Sequence, residues 1–453
     1  MNDRSLLISN TQVDGRPSDI LIQGNRIHSI EPHNPDPNRS RDEAATVPKV
    51  IGGSADAAPT ASTSATPPFP TILDGTGTAA LPGLVNAHTH AAMALLRGYA
   101  DDMPLMAWLN DKIWPLEAKL TSDDVYWGAR LACLEMIKTG TTCFNDMYWH
   151  LHSTAQAAAD AGLRACVADA VIDQHDPASY DALVDRQLAL MDEVAHYGER
   201  LRFVLGAHAV YTVSERVLRW LAEQSKAHGY RVHIHVSETA TEVRECVERT
   251  GLRPVAYLDR IGLLNERLLA VHCVHLNADE ISLLAERHAT VVHNPISNLK
   301  LASGGPMPLR ALLDAGVRVA VGTDGSASNN NLDLFEELKF AALVAKHACG
   351  DPAAVTAGQM LRMATIDGAD ALGIQAGVLA PGKLADIILI DLGDLFLFPG
   401  FDLASDLVYS AGGRAVKTTI CDGRVLMQYG RLADEAEIRD EVRGRLRRLL
   451  DED

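Results

Sequence analysis

Short apolar runs alternate with longer amphipathic stretches through the middle of the chain. Runs of this length predict buried strands, and the stretches between them predict helices, such as the one that Ser122 caps and Gly140 closes. This alternation predicts a closed parallel (β/α)8 TIM-like barrel with its helices outside, although a doubly wound open sheet has the same pattern. The eight runs cover residues 83–88, 141–147, 164–171, 202–210, 231–237, 268–276, 290–297 and 318–325.

Both ends of the chain show another pattern, in which short apolar runs are separated by turn residues. In residues 5–31, Gly24 and Asn25 form a predicted hairpin turn between strands, and similar runs return after residue 376. We therefore expect the two ends to fold together as one small β-sandwich domain. The expected division is 1–79 for the N-terminal part of the sandwich, with a flexible insertion at 33–70, 80–375 for the barrel, 376–430 for the C-terminal part of the sandwich and 431–453 for a C-terminal helix.

Polar side chains gather at the ends of the predicted strands. In a barrel these carboxyl ends form one mouth, where enzymes of this architecture place their sites. This placement favours the barrel over the open sheet. The residues are His88, His90, Asp146, His208, His235, Glu238, His272, Asn294 and Asp324.

Three pairs of histidines are spaced two residues apart, beginning at His88, His150 and His233. Alternate residues of a strand share a face, so both imidazoles of a strand pair can point to one ion. Histidines from the first, fifth and sixth strands, with the carboxylate of Asp324 from the eighth, predict a site for one divalent metal ion. Nitrogen and oxygen ligands without thiolates suit Zn²⁺ best, and Fe²⁺ or Mn²⁺ also fits. Cys273 is expected to point away.

Composition narrows the class of protein. With 47% hydrophobic and 22% charged residues, the chain is expected to be a soluble globular protein. The net charge of −18 argues against nucleic acid and anionic membranes as partners. No apolar segment is long enough to span a bilayer, so a cytoplasmic protein is expected. A PCxxC motif is absent from the sequence, which excludes the zinc deaminases that edit nucleic acids.

Five motifs occur together in one order: "PGLVNAHTH", "HVSET", "HCVHL", "HNPISNLKLASG" and "GTDGSASNNNLDLF". With them the chain resembles the amidohydrolase superfamily, and within it the 5-methylthioadenosine/S-adenosylhomocysteine deaminases. The resemblance implies a (β/α)8 barrel with a β-sandwich built from both chain ends. It also implies that His88, His90, His235 and Asp324 hold one metal ion, since the fourth strand has no lysine for a second ion. His233 then becomes a residue of the barrel interior.

The same resemblance implies roles for other residues. Glu238, His272 and Asp324 would be catalytic, and Glu117 and His208, together with Glu238 and Asp324, would hold a purine nucleoside. Without the resemblance, we would interpret Glu117 as a solvent-exposed helix residue. The implied reaction is hydrolytic deamination of 5'-methylthioadenosine, S-adenosylhomocysteine or adenosine to the inosine analogue and ammonia, by a homo-oligomer.

Other readings stay open at this stage. Guanine or cytosine deamination and s-triazine dechlorination use the same scaffold, and a non-catalytic scaffold relative is the alternative outside enzymes. The sequence does not decide which 5' substituent is preferred. Residues 97–110 are a candidate lid, in which Met103, Met106 and Trp108 either line a thioether pocket or only pack as a helix.

Overall fold

The computed structural model describes residues 5–34 and 70–450. Apart from its end residues, the predicted insertion at 33–70 lies outside the described residues. The strands at the chain ends are β1 (Ser5–Val13), β2 (Arg16–Gln23), β3 (Arg26–Pro32), β4 (Thr71–Asp74), β5 (Thr78–Pro82), β15 (Ile387–Asp391), β16 (Val416–Cys421) and β17 (Arg424–Gln428). They confirm the predicted hairpin, whose turn contains Gly24 at φ +60°.

These strands form one mixed sheet in the order β17-β16-β15-β5-β1-β2-β3, with β4 beside β1. The N-terminal and C-terminal halves meet where β5 pairs antiparallel with β15, so that Leu81 lies opposite Ile388. Alternate apolar side chains such as Ile8, Ile20 and Ile387 are fully buried on one face of this sheet. The two chain ends therefore fold as one unit, as predicted.

The central strands are β6 (Leu84–Thr89), β7 (Thr141–Tyr148), β8 (Arg164–Asp169), β9 (Leu201–Phe203), β10 (Leu205–Ala209), β11 (Val232–Val236), β12 (Leu268–His272), β13 (Thr290–His293) and β14 (Arg318–Val321). They pair in parallel and in chain order, as β6 to β9 and as β10 to β14. The predicted fourth strand is thus two pieces, β9 and β10, interrupted at Val204. The Val204 amide donates to Val167 at 2.9 Å, and the Asp324 amide donates to His88 at 3.1 Å, which closes the ring.

Helices follow most barrel strands and pack their apolar faces on the outside of the barrel. The first long one begins at Ser122, but its N-cap is Thr121, which exchanges hydrogen bonds with Asp124 in a capping box. The predicted cap at Ser122 is therefore one residue late. Among the described residues, no helix is long and apolar enough to cross a membrane.

The α-helices are Leu105–Trp108, Trp114–Glu117, Ser122–Lys138, Leu151–Ala161, Tyr180–Val194, Glu215–His228, Ala240–Thr250, Pro254–Arg260, Ala278–Glu286, Pro295–Lys300, Leu309–Asp314, Ser326–Asn329, Leu334–Cys349, Ala357–Met363, Ile366–Leu372, Leu403–Asp406 and Glu435–Leu449. Short 3-10 or π-helical segments cover Ala91–Leu96, Leu109–Ile113, Pro177–Ser179, Ala195–Tyr197, Leu395–Leu397, Leu407–Ala411 and Gly413–Ala415. The last α-helix packs on Ser122–Lys138, with Ile438, Val442 and Leu449 buried.

A buried ion pair fastens the barrel to the mixed sheet. Arg164, at the start of β8, donates from Nε to Asp386 at 3.0 Å and from Nη2 to Asp422 at 2.9 Å. The side chains of Arg164 and Asp386 are 3% and 1% exposed. A charge this deep is tolerated only when it is paired. The barrel and the sheet therefore depend on each other at this point.

We expect Arg164→Met to lower the free energy of unfolding by about 3–5 kcal/mol, because it leaves the buried Asp386 carboxylate without its counter-ion. The control is Arg219→Met, which breaks an exposed pair with Glu215 and should cost less than about 1 kcal/mol. Denaturant unfolding of the two variants measures the difference. Equal losses would mean that the Arg164 pair contributes no more than a surface contact.

Candidate active site

Histidines and a carboxylate converge at the mouth of the barrel. Potential ligand atoms of His88, His90 and His235 lie within 4.8 Å of one another, and so do those of His88, His272 and Asp324. His88 and His90 come from the end of β6, His235 from β11, His272 from β12 and Asp324 from just after β14. The structure thus brings together all four sequence-predicted ligands, with His272 beside them.

Backbone carbonyls orient two of these imidazoles. His90 Nδ1 lies 2.6 Å from the Met147 oxygen, and His235 Nδ1 lies 2.6 Å from the His208 oxygen. A carbonyl accepts only, so each Nδ1 carries the proton and donates it. The lone pair is then on Nε2, which is the arrangement that metal-binding histidines adopt.

Asp324 is held by two hydroxyl groups. Its Oδ2 accepts from Ser297 Oγ at 2.5 Å and from Ser328 Oγ at 2.9 Å. The other oxygen, Oδ1, lies 3.2 Å from His88 Nε2 and 3.3 Å from His90 Nε2. The carboxylate therefore presents one oxygen to the imidazole cluster while the serines fix its rotation.

The imidazole of His88 contacts a second buried histidine, His233. His88 Nδ1 lies 2.8 Å from His233 Nε2, and His233 Nδ1 lies 3.2 Å from Asn145 Nδ2. An ion can bind His88 Nε2 only if Nδ1 carries the proton, which must then be donated to His233 Nε2. His233 Nδ1 then carries a proton, which the Asn145 oxygen can accept only if the amide turns and gives up the bond from its Nδ2 to the Ala87 oxygen, 3.0 Å away. Asn145 Oδ1 has no partner within the described residues, so this acceptor is free.

Two of the imidazoles, those of His88 and His235, are neutral at physiological pH. Burial lowers the pKa of His88 to about 3 and holds the pKa of His235 well below its ordinary value. A neutral imidazole has the lone pair that a metal ion needs. Three imidazole nitrogens and one carboxylate oxygen, without a thiolate, form the donor set of a divalent ion such as Zn²⁺. The residues present therefore fit the predicted metal.

The backbone bends sharply where several of these side chains leave their strands. Ser237, His272 and Asp324 have φ of +50°, +72° and +61°. Left-handed backbone costs a non-glycine residue about 1–3 kcal/mol and is found mostly where the surrounding structure enforces it for function. Two residues before Asp324, Gly322 leaves no room for a Cβ, which would lie 2.7 Å from the His88 oxygen.

Glu238 and His272 form a pair beside the cluster. Their nearest atoms, Glu238 Oε2 and His272 Nε2, are 3.8 Å apart, and His272 Nδ1 lies 2.9 Å from the Asn298 oxygen. Burial raises the pKa of Glu238, although the charge of His272 opposes the shift. A carboxyl with a raised pKa can both give and take a proton near neutral pH.

The cluster forms the floor of a cavity that also contains the two other predicted site residues, Glu117 and His208. Tyr148 donates to Glu117 Oε1 at 2.6 Å, and burial raises the pKa of Glu117. His208 Nδ1 lies 2.9 Å from Thr212 Oγ1, and burial lowers the His208 pKa to about 4. Glu117 thus faces the cavity rather than solvent, contrary to the reading of a solvated helix residue.

Apolar side chains line the rest of the cavity: Met93, Leu105, Trp108, Leu109, Trp114 and Leu301. Of the three residues suggested for a thioether pocket, only Trp108 lines the cavity. Met106 is 47% exposed, and Met103 packs among neighbouring apolar side chains. That suggestion was therefore wrong for both methionines, because the helix Leu105–Trp108 turns Leu105 and Trp108 inward instead.

The other candidates from the sequence lie elsewhere. His152 contacts Glu193 at 2.6 Å on the surface and is not part of the cluster. Cys273 is buried, with its Sγ 3.6 Å from the Ala270 oxygen, and takes no part either.

Sequence reasoning missed the residues that orient the others, namely Tyr148, His233, Ser297, Asn298 and Ser328. A signal was available for three of them. Ser297 and Asn298 lie in "HNPISNLKLASG", and Ser328 lies in "GTDGSASNNNLDLF". The contacts of Tyr148 and His233 join distant segments and leave no local trace.

Known proteins resemble this chain over most of its length. The profile of the amidohydrolase family matches residues 79–426. A 5'-deoxyadenosine deaminase of Methanoregula boonei is 50% identical over 380 residues, covering 84% of this chain and 86% of that protein. A 5-methylthioadenosine/S-adenosylhomocysteine deaminase of Moorella thermoacetica is 46% identical over 381 residues, covering 83% and 88%. The structure of an adenosine deaminase of Xanthomonas campestris with bound zinc superimposes with a TM-score of 0.87, at 34% identity and 99% coverage of both chains.

We expect His233→Leu to weaken Zn²⁺ binding about 10- to 100-fold, because His88 loses the acceptor that fixes its proton on Nδ1. His233→Gln, whose amide oxygen can accept that proton, should recover part of the affinity. Chelator competition measures both values without reference to activity. The control is His293→Leu, which removes another buried barrel histidine. Unchanged affinity in His233→Leu would contradict the orienting role.

Proposed function

The chain belongs to the amidohydrolase family, and we propose that it is a metal-dependent deaminase of adenosine analogues that carry a small apolar group at the 5' carbon. The observation that carries this proposal is the imidazole and carboxylate cluster on the floor of a cavity whose wall holds Glu238. The relatives that deaminate 5'-deoxyadenosine, 5-methylthioadenosine and S-adenosylhomocysteine support it. They favour adenosine analogues over guanine, cytosine and s-triazines.

We propose that His88, His90, His235 and Asp324 hold one divalent ion, most suitably Zn²⁺. When bound, such an ion supplies hydroxide at neutral pH, because it lowers the pKa of water from 15.7 to about 7. The remaining chemistry belongs to the side chains around it. Asp324 Oδ1 takes the proton of the attacking water, since Ser297 and Ser328 occupy Oδ2 and leave Oδ1 facing the cluster.

Glu238 supplies the proton that activates the substrate. Burial raises the pKa of the Glu238 carboxyl and so favours its protonated form, and this proton goes to the ring nitrogen beside the amino-bearing carbon. The carbon becomes electrophilic, and water adds to it. His272, fixed through Nδ1 by Asn298, points Nε2 toward Glu238 and stabilises the developing charge. A second proton transfer to the amino group releases ammonia and leaves the inosine analogue.

Glu117 and His208 are placed to hold the sugar. Glu117 keeps one carboxylate oxygen on Tyr148 and has the other for ribose hydroxyls. His208 is neutral, so its Nε2 can hydrogen-bond to a neutral nucleoside without a charge penalty. Both line the same cavity as the cluster, which supports a nucleoside rather than a free base as substrate.

The apolar wall supports a small 5' group. Among the described residues, the cavity lining contains neither lysine nor arginine. The amino acid part of S-adenosylhomocysteine carries a carboxylate, which would lose water there without gaining a cationic counter-ion. A methyl or methylthio group loses little hydration free energy and gains apolar contact with Trp108 and its neighbours. We therefore place 5'-deoxyadenosine and 5'-methylthioadenosine above S-adenosylhomocysteine.

The expected homo-oligomer stays a proposal. The segment Leu395–Leu397 and the residues after it support it, since Phe398 is 80% exposed and Phe401 is 93% exposed. Large apolar side chains this exposed are typical of protein contact surfaces.

Glu238→Gln should lower kcat about 10²- to 10⁴-fold, since it removes the general acid. The zinc content should not change, because Glu238 is not among the proposed ligands. Steady-state kinetics with metal analysis of the same preparation check both statements. Glu245→Gln, an exposed change in the following helix, is the control. Near-normal turnover in Glu238→Gln would remove its proton role.

Trp108→Ala should reduce kcat/KM for 5'-methylthioadenosine about tenfold more than kcat/KM for adenosine, because the methylthio group loses an apolar contact. The matched control is Met106→Ala, which changes an exposed residue of the same helix. In the unmodified enzyme, kcat/KM for S-adenosylhomocysteine should be the lowest of the 5'-substituted substrates. Equal losses on both nucleosides would place the 5' group elsewhere.

A further inference from the structure

Four arginines line one cavity at the opposite end of the barrel from the histidine cluster, where the parallel strands begin. Arg202 lies in β9, Arg231 precedes β11, Arg267 precedes β12 and Arg318 is the first residue of β14. Because parallel strands start at the same edge, residues in these positions lie side by side around the ring. This cavity takes no part in the proposed deaminase reaction.

Most of these guanidinium groups have no carboxylate partner. Arg202 donates to the Gly373 oxygen at 2.9 Å, Arg231 to the Asp370 oxygen at 2.9 Å and Arg318 to Thr290 Oγ1 at 3.4 Å. Across residues 5–34 and 70–450, only the fourth arginine of the group, Arg267, forms an ion pair, with Glu266 at 2.6 Å.

Two carboxylates, Glu266 and Asp370, also line this cavity. The carboxylate of Asp367, just outside the lining, also attracts Arg318, so four arginines face three carboxylates and one positive charge remains in excess, in a chain whose net charge is −18. Burial and the charges of the neighbouring arginines lower the pKa of Arg231. Like charges gathered in this way repel one another, and a bound anion would relieve the repulsion.

The cavity has the size and shape of a ligand site. Its volume is about 870 Å³, and its wall combines the arginines with apolar residues such as Phe203 and Tyr230. Gly373 has φ +68°, and a Cβ there would lie 2.6 Å from Arg231 Nη2, so this glycine makes room for the guanidinium group.

Capping of the helix Ile366–Leu372 explains part of the arrangement, since arginines stabilise carbonyls at a helix C-terminus. Arg202 and Arg231 do this through Gly373 and Asp370. It does not explain Arg267 and Arg318, which line the same cavity without contacting those carbonyls.

We propose that this cavity binds a phosphate-type oxyanion, either inorganic phosphate or the phosphoryl group of an organic phosphate. The planar guanidinium group donates two parallel hydrogen bonds to such oxygens, and several arginines together suit a dianion. Binding at this end of the barrel is separate from the deaminase site and would stabilise the folded chain by mass action.

The experiment is calorimetric titration of the zinc-loaded full chain at constant ionic strength. The probes are inorganic phosphate and ribose 5-phosphate, with ribose as the uncharged control. We expect at least one phosphate probe to bind and ribose alone not to bind. Tighter binding of ribose 5-phosphate identifies an organic phosphate as the ligand, whereas equal or tighter binding of inorganic phosphate identifies the free anion.

The variant Arg231→Gln/Arg318→Gln should bind the phosphate probe at least tenfold more weakly and keep its deaminase activity. Arg424→Gln/Arg447→Gln removes the same charge from exposed positions elsewhere and should bind like the unmodified protein. If the first variant does not fold, Arg267→Gln replaces it, with the same expected direction. Absence of binding to both phosphate probes, or equal affinity in the cavity and control variants, would overturn the proposal. Neither result bears on the deaminase function.

Discussion

The proton positions on the buried imidazoles govern everything else at the mouth of the barrel. Three histidines can share an ion only if each is neutral and turns Nε2 to a common point, so each Nδ1 needs an acceptor. The structure provides two backbone carbonyls and one further imidazole for this purpose. Burial keeps the rings of His88 and His235 neutral, but only the acceptors decide which nitrogen faces the proposed ion.

These acceptors exist because of the barrel. The carbonyls that receive protons from His90 and His235 belong to Met147 and His208, which lie on the neighbouring strands β7 and β10. His90 and His235 are therefore each oriented by an adjacent strand of the ring. A shift of one strand against its neighbour would move an imidazole and its acceptor carbonyl apart. The register of the parallel strands therefore determines the geometry of the proposed metal site.

The sequence predicted the framework better than its details. Eight apolar runs with polar ends sufficed for the barrel, and ordered motifs sufficed for the family and the set of candidate ligands, because both are local patterns. The break at Val204 and the capping of the helix Ser122–Lys138 by Thr121 depend on tertiary packing and were missed or misplaced. The same holds for the bond from Tyr148 to Glu117, which joins residues 31 positions apart. Arginines at the starts of several strands are visible in the sequence. Only the structure shows that they line one cavity.

The "HIH" of β11 shows how strand geometry divides one motif between two tasks. His233 and His235 point to the same side of the strand, yet their ring centroids are 6.5 Å apart because each residue advances along the barrel axis. One ring therefore reaches the proposed ion site while the other lies one layer deeper. In that layer His233 Nε2 lies 2.8 Å from His88 Nδ1, whereas the ring centroids of His235 and His88 are 5.0 Å apart. His233, which is not placed to bind the ion, thus determines whether His88 can bind it through Nε2.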